Sequence, residues 1–187
     1  MASRRDAKPS RHRFVPVWDV VVRLLHWTLA ALVTVDLVRD DGDRLHRIVG
    51  YAAVAVVLVR LGWAAVSRSH GSFANLRPSV SASLAYVRLI VRGQARRPLG
   101  HNPLGLWMAW LLWTLVLMLG LSGWMTRLDA FWGDERVHDF HALLADMLLV
   151  AAILHLVGVA TMSLLWKENL PASMVTGFKR ADKANVD

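Results

Sequence analysis

Two histidines, His141 and His155, stand fourteen residues apart in a stretch that is otherwise mostly Leu, Ala, Val and Ile. On a helix turning ~100° per residue this spacing is nearly four turns, so both imidazoles leave the same face. A rise of ~1.5 Å per residue separates them by about 21 Å along the axis. A bilayer is crossed by about 20 apolar residues, so the two rings fall at two depths, one near each side. Ionisable groups at such depths are costly and point at a cofactor, an ion path or a partner within a bundle.

The rest of the chain suits that setting. Of 187 residues 55% are hydrophobic, and the mean hydropathy is +0.38. Those values are high for a soluble domain and normal for a small membrane bundle. There is no cysteine, which excludes disulfides, thiolate ligation, iron–sulfur clusters and covalent haem attachment. The net charge of +8 is unevenly spread. Residues 1–13 are basic, and residues 67–103 carry Arg68, Arg77, Arg88, Arg92, Arg96 and Arg97 with no acid. The connections at 36–47 and 127–139 are acidic on balance. Basic loops stay in the cytoplasm. Nucleic acid is excluded as a partner because the basic residues bracket apolar spans and alternate with acidic loops.

The expected fold is all-α: an integral membrane four-helix bundle, multi-pass in the bacterial inner membrane, with both termini cytoplasmic. The tail 1–13 precedes a single domain at 14–178, and 179–187 is a second tail. The first apolar run is too long for a signal peptide and contains Arg23 and His26, so it reads as a retained helix. Helices are expected at about 16–38, 44–66, 104–126 and 137–166. Asp19 and Arg23 are spaced to pair on the first. An interfacial amphipathic helix at 79–93 fits between spans two and three, too short and too basic to cross. Trp18, Trp63, Trp107 and Trp166 fall at the inner interface, Trp124 and Trp132 at the outer. The row Trp107, Trp110 and Trp113 reads as packing.

Four histidines on three helices then pair by depth. His26 lies about ten residues into span one and His155 eleven before Trp166; His46 and His141 open spans two and four on the outer side. A haem with two axial imidazoles needs this arrangement: neutral rings from different helices across one plane. Two such sites stacked through the bilayer make an electron path. Gly50, Gly120, Gly123 and Gly158 offer flat space between helices. Arg23, Arg47 and Arg60 are candidates for the haem carboxylates. His138 belongs to the outer surface, His101 to a loop, where a quinone or partner is within its reach, and His12 and His70 to solvent. A metal site of Glu135, His138 and His141 lacks a complete shell.

RLLHW in span one, LHRIVGY opening span two, GHNPLG before span three and FHALLADMLLVAAILH in span four resemble the bacterial cytochrome b-561 family, relatives of the membrane haem subunits of nickel–iron hydrogenases. The resemblance covers roughly residues 17–177. It implies a membrane cytochrome with two non-covalent haems b. By matching positions it implies His26 and His155 as axial ligands of the inner haem iron, His46 and His141 of the outer one. No catalytic residue is assigned. The expected activity is electron transfer between the quinone pool, ubiquinone or menaquinone, and a redox partner, with a quinol/quinone oxidoreductase as its enzymatic form. The alternative is a haem-containing anchor and electron relay within a larger complex. The expected partners are membrane lipid, quinone, and a periplasmic c-type cytochrome, hydrogenase, dehydrogenase or other redox subunit, with a homodimer left open. Asp36, Asp129, Glu135 and Asp139 are available as proton acceptors on the outer side.

Overall fold

A computed structural model describes residues 14–39, 42–68, 71–95 and 97–180. A short strand β1 (Phe14–Pro16) leads into six helices: α1 (Val20–Val38), α2 (Arg44–Val66), α3 (Val80–Val91), α4 (Pro103–Met125), α5 (Glu135–Leu165) and α6 (Leu170–Thr176). Strand β2 (Phe178–Arg180) follows. Helices α1, α2, α4 and α5 are long and apolar enough to cross a membrane.

Each long helix begins where a side chain meets an orphan amide. Asp19 accepts from Val22 N at 2.9 Å, Asp43 from His46 N at 2.7 Å, Asn102 from Gly105 N at 2.6 Å and Asp134 from Arg136 N at 3.0 Å. Such oxygens satisfy amides that have no partner inside the helix. The first span therefore starts at Val20 rather than at residue 16, because Pro16 belongs to β1. Pro103 sits in the first turn of α4, where its missing N–H costs nothing.

Helix α1 packs on α2, α2 on α4, and α4 on α5. The core is built from Ala53 and Val57 of α2, Leu115 and Val116 of α4, and Leu144, Leu148 and Ala151 of α5. Gly120 allows the α2–α4 approach, since a Cβ there would lie 2.3 Å from Val54 Cγ2. Among the described residues neither α1 nor α2 packs comparably on α5. Those two seams are the open ones.

Helix α3 lies where residues 79–93 were expected to be helical, with Ser83 and Tyr86 buried and Arg88 and Arg92 exposed. The strands are an addition to the helical reading. Phe14 pairs with Arg180 and Pro16 with Phe178, antiparallel, so the first and last described residues meet at one end of the bundle. Val17 N and Trp18 N both donate to the Gly177 carbonyl, at 2.8 and 3.1 Å. Gly177 has φ 87°, and a Cβ would stand 2.8 Å from Trp18 O, so only glycine fits this turn. Lys179, expected in a tail, is 6% exposed inside this closure.

Candidate functional site

The open seams hold the histidines. His26 of α1 faces His155 of α5 with ring centroids 6.4 Å apart and planes at 57°. His46 of α2 faces His141 of α5 at 6.2 Å and 82°. A metal–imidazole bond is ~2 Å and a ring centroid lies about 1 Å behind its nitrogen, so two imidazoles on opposite sides of one ion have centroids about 6 Å apart. Both pairs have the spacing that a single six-coordinate iron fills.

The His46–His141 pair also presents the right nitrogens. His46 Nδ1 lies 3.2 Å from the Arg39 carbonyl and 3.0 Å from Asp36 Oδ1, both acceptors. Its proton therefore sits on Nδ1 and the Nε2 lone pair is free. His141 Nδ1 lies 2.8 Å from Ser122 Oγ. That hydroxyl donates to the Leu119 carbonyl at 3.2 Å, so it accepts from the ring and leaves His141 Nε2 free too. Fixing one ring nitrogen so that the other can ligate is how proteins orient metal-binding imidazoles. Sequence reasoning gave Ser122 no role and took Asp36 only for a proton acceptor. A hydroxyl in an otherwise apolar run, one of two in α4 with Thr114, was the available signal for Ser122.

The other expected site residues lie in several settings. Gly123 seats the His141 ring, whose Cε1 would lie 3.1 Å from a Cβ at that position. Gly50 sits opposite Asp36, whose Oδ2 would be 3.4 Å from a Cβ there, and nothing lies near Gly158. The glycines of α4 thus serve helix and histidine packing. Arg23 Nη1 donates to the Val175 carbonyl. Arg60 is buried over the Trp113 ring, 5.3 Å from its centroid. Arg47 is half-buried at the opposite end of α2, and His138 is exposed. His12 and His70 lie outside the described residues. No group of three or more His, Asp or Glu able to hold a metal ion occurs among the described residues.

His101 lies in the loop before α4, as expected, but is packed there rather than open. Its ring packs edge-on against Trp18 at 4.7 Å, and its Nδ1 is buried without a partner. Burial, with Arg60 and Lys179 nearby, pushes its pKa down to about 4. Burial also lowers the Lys179 ammonium, against the pull of Glu168. On the flank of α1 an apolar groove of about 340 Å³ is lined by Val20, Arg23, Leu24, Trp27 and Val175. Trp27 stands edge-on to His26 at 5.4 Å.

Four membrane-length helices with imidazoles facing across their open seams define a class, the transmembrane cytochromes b. The family model described as prokaryotic cytochrome b561 matches residues 17–177, and the chain belongs to that family. It is a multi-pass membrane protein that binds haem b and transfers electrons. No curated protein matches the chain.

Proposed function

We propose that the chain holds two haems b and passes electrons singly between membrane quinone and a redox partner across the bacterial inner membrane. His26 and His155 are the axial ligands of one haem, His46 and His141 of the other. The observation that carries this reading is the pair of facing imidazole couples, at 6.4 and 6.2 Å, each spanning two helices that pack less closely than their neighbours do. Bound haem supplies one-electron redox chemistry; the protein supplies ligands, orientation and electrostatics.

The chain's own groups do the positioning. Asp36, the Arg39 carbonyl and Ser122 hold the outer rings by Nδ1. The groove beside Trp27 is the approach for a quinone ring, because Trp27 touches both the groove and His26. Arg23 Nε, buried there without a partner, is the donor for a quinone oxygen. The arginine-rich residues 67–103 and the β1–β2 closure are cytoplasmic by the charge rule, with α3 lying in the interface.

A pyridine haemochrome titration tests the assignment on the wild type and on His26→Ala, His46→Ala, His141→Ala and His155→Ala. Two haems per chain are expected in the wild type and one in each variant, while His138→Ala keeps both. A wild type holding a single haem overturns the reading.

A further inference from the structure

The end of the bundle closed by β1 and β2 buries more positive charge than its acids neutralise. Arg60 is 5% exposed; its Nη2 donates to the Gly71 carbonyl at 3.0 Å, and its Nη1 is buried with no partner. Lys179 makes no ion pair among the described residues and stands 5.9 Å from the centroid of the Trp18 ring. His101 packs on the same ring, and its Nδ1 also has no partner. The two acids nearby, Glu168 and Asp19, pull on Lys179 and Arg60 but are shared with other partners. Glu168 pairs with Arg97 at 3.1 Å, and Asp19 accepts from Val22 N and Trp63 Nε1. Buried cations and donors left in this state are costly unless an anion joins them.

His101 lies within electrostatic reach of Arg60, Lys179, His26 and His155 together. The unmatched positive groups therefore gather beside the inner histidine couple. We infer that Arg60, Lys179 and His101 form a carboxylate seat for the haem assigned to His26 and His155. This rests on that assignment. Protoporphyrin carries two carboxylates. Arg60 offers one a planar fork, Lys179 offers the other a point charge, and neutral His101 offers a hydrogen bond without adding charge. Lys179 sits in the last described strand, so the closure of the two chain ends is what brings it to the site.

A cation beside a haem opposes the extra positive charge of the oxidised iron and raises its potential. Optical redox titration of the purified full chain, wild type against Lys179→Gln, reads this directly. Two haems per chain are expected in both. One midpoint falls in the variant, by roughly a tenfold change in the reduced-to-oxidised ratio, about 59 mV for one electron. The other midpoint stays, and Lys179→Arg restores the first. Should Lys179→Gln not fold, Arg60→Gln is read the same way. Two retained haems with both midpoints unmoved overturn the seat alone. A wild type with fewer than two haems overturns the parent assignment and the seat with it. A shift seen only in nanodiscs containing anionic phospholipid, and absent in pure phosphatidylcholine, assigns the cations to a lipid headgroup and also overturns the seat.

Discussion

The Ser122 hydroxyl lies 2.8 Å from His141 Nδ1 while it donates to the Leu119 carbonyl at 3.2 Å. With its proton committed, the oxygen accepts from the ring and fixes the tautomer. Ser122→Ala removes that acceptor and lets the imidazole turn. Such partners are worth roughly 10–100-fold in metal affinity. Of the two haems proposed above, one should therefore transfer to an apo-globin acceptor at least about tenfold faster than in the wild type. Equal release of both haems, or no change in either, would count against this role for Ser122.

Two glycines on α4 separate the fold from the site. A Cβ at Gly123 meets His141 Cε1 at 3.1 Å, whereas one at Gly120 meets Val54 Cγ2 at 2.3 Å. Gly123→Val displaces the ring and costs one haem, with the bundle intact. Gly120→Ala wedges α2 from α4, and overpacking of that kind costs about 1–3 kcal/mol. It lowers the thermal midpoint while the haem count per folded chain stays at the wild-type value. Melting curves followed by circular dichroism, beside haem absorbance, tell the two apart.

What the sequence made legible follows from one-dimensional rules. Four apolar runs gave the spans, and helical rise gave the depths of His26, His46, His141 and His155, so the rings that meet were deducible in pairs. What stayed hidden depends on contacts between distant segments. Phe14–Pro16 and Phe178–Arg180 are three residues each, too short to carry a strand pattern, and only their pairing reveals them. Lys179 reads as tail for the same reason. His101 is a loop residue as read, but its burial comes from Trp18, on a distant segment. Arg23 meets the α6 carbonyl of Val175, a contact that spacing within α1 cannot show.

Acid should loosen the end closed by β1 and β2. His101 is held down to about 4 in the folded chain by burial and by Arg60 and Lys179, against an ordinary value of 6.5. The unfolded chain therefore takes up this proton first as pH falls. Stability is full above the ordinary histidine value and declines as pH drops through about 4. His101→Gln keeps a neutral polar group there and removes the titration. Its melting temperature should fall less between neutral pH and pH 4 than that of the wild type, measured in the same detergent. An identical decline in both proteins would assign the acid sensitivity to other groups.

Glu168 is the acid set closest to Arg97 and Lys179 among the described residues. It is 7% exposed, and its Oε1 lies 3.1 Å from Arg97 Nη2 and 3.4 Å from the Arg180 amide. It also favours the charged form of Lys179 against burial. Glu168→Gln keeps the shape and one acceptor but leaves Arg97 and Lys179 without their counter-charge. Removing one member of a buried ion pair costs about 3–5 kcal/mol, because the remaining charge stays out of water. The retained amide oxygen still serves the Arg180 amide, so the loss should fall at the low end of that range. Thermal melts should show the drop. Adding Lys179→Met to Glu168→Gln should recover part of it, since one unmatched cation is then gone. The double variant melting below the single one would mean that Lys179 contributes by packing on Trp18 rather than by charge.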